Sequence, residues 1–173
     1  MPWYSRVSRL FKSDKSPGKA EELYTAVEKG DLKLVKKLLK YSKYFEANNT
    51  KKGCWSLVHT AAFAGHKDVL EVLVSKYGEV TMRAEDDLTP LHLAANKGNL
   101  AAVKFLLEKG AALDAVTKEH NWTPLHSAIL LGHSSVVGEL LLKKASPDAQ
   151  DKVNFSQPPS LPTVAPAYAP LFR

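Results

Sequence analysis

The 173-residue sequence lacks several features that mark particular classes of protein. Its single cysteine, Cys54, excludes an intramolecular disulfide and is typical of a reducing compartment. No apolar run reaches the roughly 18 residues that a membrane-spanning helix requires. The glycines are spread along the chain, so no phosphate-binding loop is predicted, and no GxSxG string is present. We therefore expect an intracellular, cytoplasmic protein that is not an enzyme and has no cofactor or metal, with the nucleus or the membrane periphery as alternative locations.

Acidic residues are scarce near the N-terminus, and the charge is uneven along the chain. Residues 1–52 contain 13 Lys or Arg and 6 Asp or Glu, whereas the remaining residues contain 11 and 12. No nucleic-acid-binding module accompanies this basic part, and no aromatic residues are interleaved to stack on bases. A nucleic-acid partner is therefore not expected.

The clearest positive feature is a string that recurs along the chain. Residues 89–98 read TPLHLAANKG, and the string returns as TPLHSAILLG at 123–132. A weaker copy, SLVHTAAFAG, covers residues 56–65, and a degenerate copy ends at Gly30. The four closing glycines are 35, 33 and 34 residues apart. A motif of this kind with a period of about 33 residues resembles the ankyrin-repeat family.

Each copy has the chemistry of a helix with defined ends. Thr89 and Thr123 are placed to cap a helix, and the proline after each falls at the first helical position, where no N–H is needed. Gly98 falls where the helix must stop, because glycine adopts a left-handed backbone readily. A second apolar-patterned segment follows each string, and such helix pairs must stack to bury their apolar faces. The second copy has Ser56 and no proline, so we expect a looser helix start there.

The resemblance implies an all-α solenoid of helix-turn-helix units with β-hairpin fingers and disordered tails. We predict an extension over residues 1–19, an ankyrin-repeat domain over residues 20–152 and a proline-rich tail over residues 153–173. The repeats are placed at about residues 20–52, 53–83, 84–116 and 117–150. The first is interpreted as a capping repeat, because lysines make its outer face polar. These lysines are Lys33, Lys36, Lys37 and Lys40. A basic docking patch for an acidic partner or a phospholipid head group is the alternative interpretation.

The N-terminal extension has three interpretations. On a helical wheel, residues 3–12 place aromatic and aliphatic side chains on one side and basic and hydroxyl side chains on the other. The segment is a disordered tail, a short basic amphipathic helix that contacts an anionic membrane or a partner, or a mitochondrial presequence.

The repeat pattern stops within the C-terminal tail. Residues 151–156 begin a fifth finger, with Asn154 where glycine is usual, and asparagine tolerates a left-handed backbone. Prolines then stand where the next helix pair should begin. A fragment boundary, a splice variant and evolutionary loss all remain open as explanations. The rest of the tail is predicted to be extended, and in one interpretation its apolar residues cover the end of repeat four. These are Leu161, Val164, Tyr168, Leu171 and Phe172.

The histidines and the paired acids are candidate chemical sites. Five of the six histidines fall in two sets of equivalent positions, namely His59, His92 and His126, and then His66 and His133. Recurrence at the repeat period predicts a structural role, in which each ring hydrogen-bonds backbone groups, rather than a metal or catalytic site. Adjacent Asp86 and Asp87 could act as paired acids in hydrolysis, but a solvated finger turn is the favoured interpretation.

The resemblance also implies where a protein partner binds, namely on the fingers and on the concave face of the first helices. The implied positions precede the Thr of each string or stand just before its Gly. Tryptophan is over-represented at binding hot spots, and exposed apolar patches mark interfaces. The predicted partner-binding residues are Trp55, Phe63, Leu88, Asp86, Asp87, Asn96, Lys97, Glu119, His120, Trp122, Leu130 and Leu131. In the alternative, Trp55 and Trp122 fold back onto their fingers, while Leu130 and Leu131 face a missing repeat.

These features together favour a monomeric, non-catalytic interaction module or adaptor. Its partner would be an apolar protein segment with basic flanks that meet the acidic fingers. The first alternative is a membrane-associated scaffold tethered by residues 3–12. The second is the recognition part of a larger regulatory or ubiquitin-ligase protein.

Overall fold

The computed structural model describes residues 17–40, 55–77 and 79–147. These ranges contain eight α-helices and no β-strand, which confirms the predicted all-α solenoid. The helices are α1 (Pro17–Lys29), α2 (Leu32–Lys40), α3 (Leu57–Ala64), α4 (Lys67–Tyr77), α5 (Pro90–Asn96), α6 (Leu100–Glu108), α7 (Pro124–Leu130) and α8 (Ser134–Leu142). A 3-10 turn, Glu85–Asp87, precedes α5.

The helices form consecutive pairs that stack in chain order. Within each pair the first helix packs against the second, as α5 does against α6. The first helices α1, α3, α5 and α7 contact one another in sequence and form one layer. The second helices α2, α4, α6 and α8 form the other layer. Every inner repeat is therefore held by its neighbours on both sides, as a stacked array requires.

The first helices of repeats two, three and four begin at capping boxes. Thr89 caps α5 and Thr123 caps α7, each with the following proline at the first helical position. Ser56 caps α3 in the same way, with its hydroxyl accepting from the His59 N–H at 3.3 Å. The expected loosening of this start is wrong, because the cap comes from the hydroxyl and the histidine, and proline is not needed for it. Gly98, with φ of 70°, turns the chain after α5.

The core lies between the two helix layers and continues from repeat to repeat. Leu73, Leu91 and Leu106 are fully buried, and burial of such a side chain stabilises the fold by about 1.5–3 kcal/mol. Ala62 and Ala95 are also fully buried, at equivalent positions of α3 and α5. Small side chains at these positions let neighbouring helices approach closely.

Several predictions concern residues outside the described ranges. They include the amphipathic segment over residues 3–12, the fifth finger and the proline-rich tail. The α1 helix begins at Pro17, inside the extension that was predicted to run to residue 19. Proline is favoured in the first turn of a helix, which accounts for this earlier start.

Candidate functional site

The first histidine of repeats two and three joins that repeat to the next one. In repeat three, the Thr89 N–H donates to His92 Nδ1 at 3.2 Å, so the neutral ring carries its proton on Nε2. This Nε2–H donates to the Trp122 carbonyl, 2.9 Å away, at the base of the next finger. His59 is held by Ser56 in the same manner and donates to the Leu88 carbonyl at 3.1 Å.

Both rings are uncharged at neutral pH. Burial lowers the pKa of His59 and of His92 to about 4, because the protonated ring would lose its hydration. The hydrogen bonds to the Leu88 and Trp122 carbonyls oppose this shift only in part. A neutral ring with one accepting and one donating nitrogen is the form that the joint requires.

A second polar contact runs in the opposite direction across each joint. His66 Nε2 donates to the Glu28 carbonyl at 3.0 Å, and His133 Nε2 donates to the Asn96 carbonyl at 2.8 Å. The middle joint uses Asn99, whose Nδ2 donates to the Phe63 carbonyl at 2.9 Å. These side chains lie directly on the closing glycine of the preceding repeat. A Cβ built on Gly30, Gly65 or Gly98 would come within 2.6 Å of them.

The structural role predicted for these histidines is confirmed for His59, His66, His92 and His133. Among the described residues, no group of three or more His, Cys, Asp or Glu side chains could hold a metal ion. Within the same ranges, no helix is long and apolar enough to cross a membrane.

Three of the predicted partner-binding residues form a cluster on the first-helix layer. The rings of Trp55 and Phe63 are 4.9 Å apart and tilted by 59°. Lys97, from the next repeat, places its Nζ 4.4 Å from the centre of the Phe63 ring. Both rings are half-buried and the lysine is exposed. We call Trp55, Phe63 and Lys97 the aromatic cluster.

Two of the predicted partner-binding residues are buried. Trp122 is only 7% exposed and Asn96 only 4%, so the expectation that these two side chains face a partner is wrong. The Trp122 carbonyl accepts from His92, and the Trp122 backbone N–H donates to Thr117 Oγ1 at 3.0 Å. Its ring packs 5.5 Å from that of His120. The alternative, a tryptophan folded back onto its finger, holds for Trp122.

The acidic finger residues divide into structural and outward-facing groups. Asp86 Oδ1 accepts from the Glu119 N–H at 2.6 Å, and the Asp86 carbonyl accepts from the Lys118 N–H at 3.0 Å. Asp86 therefore ties two neighbouring fingers together. Asp87 lies 3.7 Å from Arg83 in an exposed ion pair, which contributes little stability. The Glu119 side chain faces solvent, with Oε2 3.9 Å from His120 Nε2.

The remaining predicted partner-binding residues are apolar. Leu88 and Leu130 are half-buried, whereas Leu131 is exposed. The sequence interpretation missed the exposure of three further residues near the end of repeat four, namely Ile129, Leu141 and Leu142. Ile129 and Leu141 match buried or half-buried positions of repeat three, namely Ala95 and Leu107, and only the place of this repeat in the array distinguishes them. Leu142 matches the exposed Glu108.

Comparison with known families and proteins identifies relatives of the array. A family model of ankyrin repeats in three copies matches residues 78–151, and another, of many copies, matches residues 23–74. The human ankyrin repeat and SOCS box protein 2 is 33% identical over 112 residues, which is 64% of this chain and 17% of that protein.

Further relatives combine similar segments with much longer chains. The human ankyrin repeat and SOCS box protein 3 is 31% identical over 97 residues, or 54% of this chain and 18% of that protein. The ADP-ribosylation factor GTPase-activating protein AGD2 of Arabidopsis thaliana is 41% identical over 66 residues, which is 38% of this chain and 8% of that protein. The chain therefore spans less than a fifth of the length of these curated relatives.

Proposed function

Since the chain belongs to the ankyrin-repeat family, whose members typically bind other proteins and are not catalytic, we propose that it is a non-catalytic adaptor that holds a protein segment on its fingers and first helices. The observation that carries this proposal is the aromatic cluster. Two large rings remain partly exposed there, and a lysine from the next repeat lies over one of them.

The aromatic cluster has the properties of a binding anchor. Aromatic side chains supply large contact area at a small loss of side-chain entropy, and they dominate the energetics of many interfaces. The cation over Phe63 holds that ring in place before a partner arrives. The exposed part of each ring supplies apolar area that a partner can bury.

The segment that fits this surface is apolar, with basic residues on one flank. Leu88 stands immediately before the cap Thr89, as Trp55 stands before the cap Ser56, and it is half-buried. Glu119 would meet a basic side chain, whereas Asp86 is already engaged by the neighbouring finger. Cys54 adds no disulfide within the chain, so an intracellular location suits the proposal.

Peptide selection tests the anchor. A library of random peptides displayed on phage is selected against the full chain, and the Kd of each selected peptide is measured by calorimetry. We expect Phe63→Ala to raise Kd at least about tenfold, which corresponds to about 1.4 kcal/mol. Leu142→Ser is the matched control, because Leu142 is 79% exposed on the last helix and lies outside the proposed surface.

The melting curves of both variants decide how the result is read. With melting temperatures close to that of the parent chain, a Kd that stays unchanged in Phe63→Ala would remove the aromatic cluster from the binding surface. Equal weakening by Leu142→Ser would move the binding site to the end of repeat four.

A second candidate is the recognition part of a larger regulatory or ubiquitin-ligase protein. The names of two relatives join ankyrin repeats to a SOCS box, and the chain covers less than a fifth of each. Long-read sequencing of transcripts tests this candidate, which predicts an in-frame continuation past Asn154 into a second domain. Transcripts that all encode the present tail would contradict it.

A further inference from the structure

Every exposed residue of α2 is a lysine. The four lysines are spaced i, i+3, i+4 and i+7, which places them on one side of the helix, while Val35, Leu38 and Leu39 are buried on the other. They extend for about 10 Å along the helix axis. We call these four residues the lysine stripe, namely Lys33, Lys36, Lys37 and Lys40.

No carboxylate balances the lysine stripe within the part of the chain that the structure describes. There, no acidic side chain lies within ion-pair distance of any of its lysines. Asp31 is engaged at the start of α2, where its Oδ1 accepts from the Leu34 N–H at 3.0 Å. Lys76 of the next repeat donates to the Leu39 carbonyl, so a further positive charge lies at the C-terminal end of α2. Like charges three and four positions apart repel on a helix, so the stripe lowers the stability of α2.

The other second helices show that the array does not require this stripe. Each of them begins two positions after a closing glycine, as α2 does, so their residues are matched by counting from that glycine. The residues that match Lys33, Lys36 and Lys40 are all exposed, yet only Lys104 among them is a lysine, and it pairs with Glu139 at 3.6 Å. The matching residues are Asp68, Glu71, Ser75, Ala101, Lys104, Glu108, Ser135, Gly138 and Leu142.

Capping of the array accounts for one member of the stripe, Lys37. Its matches in repeats two and three are Val72, which is half-buried, and Phe105, which is buried. A charged residue at this position therefore suits a first repeat, which has no repeat before it to cover the position. The other three lysines lie on the face that is exposed in every repeat. Their common charge is not explained by the place of repeat one in the array.

We infer that the lysine stripe is a docking site for an acidic segment of a second protein, whose Asp or Glu side chains lie along α2. An anionic partner follows from the charge of the stripe. A flat anionic membrane fits less well, because the adjacent α4 exposes Asp68 and Glu71 on the same face. A single segment along α2 avoids both carboxylates.

The lysine stripe and the aromatic cluster lie on different layers of the array. α2 belongs to the layer of second helices, whereas the aromatic cluster lies on the layer of first helices. Occupation of one surface leaves the other open, so the array has room for two partners at once. Binding at the stripe is therefore independent of binding at the aromatic cluster, and either can fail without the other.

Binding of a decaglutamate peptide to the full chain tests the stripe, with Kd measured by calorimetry at low salt. Replacing Lys36 and Lys40 together by glutamine should raise Kd at least about threefold, as expected for the loss of two exposed ion pairs. Glutamine has nearly the helix propensity of lysine and removes the repulsion, so the melting temperature should not fall. The matched control replaces Lys143 and Lys144 by glutamine at the end of α8, which removes the same charge and should leave Kd nearly unchanged.

Amide chemical shifts of the ¹⁵N-labelled chain locate the site independently, and the largest changes on adding decaglutamate should fall in α2. Largest changes elsewhere, or equal weakening in the two double variants, would overturn the inference, since net charge alone would then attract the peptide. A clearly lower melting temperature in the variant of Lys36 and Lys40 would give these lysines a structural role instead. Vesicles containing phosphatidylserine that bind through Lys36 and Lys40, without binding of decaglutamate, would replace the acidic segment by a membrane.

Discussion

The joint between repeats three and four and the end of repeat four use equivalent residues in different surroundings. At the joint, Ala95 is fully buried and His133 lies against Gly98. At the end, the equivalent Ile129 is 40% exposed, and no described atom lies within 4 Å of a Cβ built on Gly132. Both copies of the string begin with TPLH and end with glycine, but only the first copy has a described helix pair stacked on it. Much of the stabilisation therefore belongs to the joint between repeats and not to the single repeat.

Of the changes predicted here, acidification should lower the stability of the joints the most. The pKa of His59 and of His92 is about 4 in the folded chain and about 6.5 in the unfolded chain, so the unfolded state binds protons first. Stability is complete above pH 6.5 and falls as the pH decreases toward 4, where each histidine accounts for a loss of about 3 kcal/mol. Urea unfolding followed by circular dichroism between pH 7 and pH 4.5 measures this loss.

The variant His92→Gln separates the histidine contribution from that of the carboxylates. Glutamine does not titrate, so the variant should be less stable at pH 7 but lose less stability on acidification. Its curve and that of the parent chain should converge as the pH falls. Parallel curves would mean that His92 does not hold its low pKa in the folded chain.

The repeat string permitted accurate prediction of the helix pairs, their caps and the role of the histidines. These features depend on local chemistry, such as Thr89 before a proline or Gly98 at a helix end, and they recur at the repeat period. The outcome at the partner-binding positions was different. Trp55 and Trp122 both stand immediately before the string, yet Trp55 is half-buried beside Phe63 while Trp122 is buried.

The surroundings of the two tryptophans differ, although both carbonyls accept a hydrogen bond from the preceding repeat. The Trp122 carbonyl accepts from His92 and its backbone N–H donates to Thr117 of its own finger, whereas the Trp55 carbonyl accepts from the Tyr24 hydroxyl at 3.1 Å. The contact between Phe63 and Lys97 likewise joins residues of two repeats, and its geometry depends on how those repeats stack. A pattern within one repeat predicts which positions line the surface, but it does not predict which side chain turns inward.

Overpacking the joint should have an intermediate effect. Ala95→Ile places a branched side chain where Ala95 is fully buried, and such overpacking costs about 1–3 kcal/mol. The reverse change at the equivalent position, Ile129→Ala, should cost clearly less because the side chain is partly exposed. The free energies of unfolding in urea measure both effects. Similar losses in the two variants would indicate that the end of repeat four is packed as tightly as the joint.

Replacing Gly98 or Gly132 by alanine should give the smallest difference in stability between the joint and the end of repeat four. Gly98 has φ of 70° and Gly132 has φ of 73°, so alanine is strained equally at both, by about 1–2 kcal/mol. Only at Gly98 does the new Cβ also meet a neighbour, since it would lie 2.6 Å from His133 Nδ1. His133 must then move and lengthen its hydrogen bond to the Asn96 carbonyl, which is worth about 1 kcal/mol.

We therefore expect Gly98→Ala to lower the free energy of unfolding by about 1 kcal/mol more than Gly132→Ala. Adding His133→Ala to both variants should abolish that difference, whereas a difference that persists would place its origin in the backbone of α5 and not in the joint.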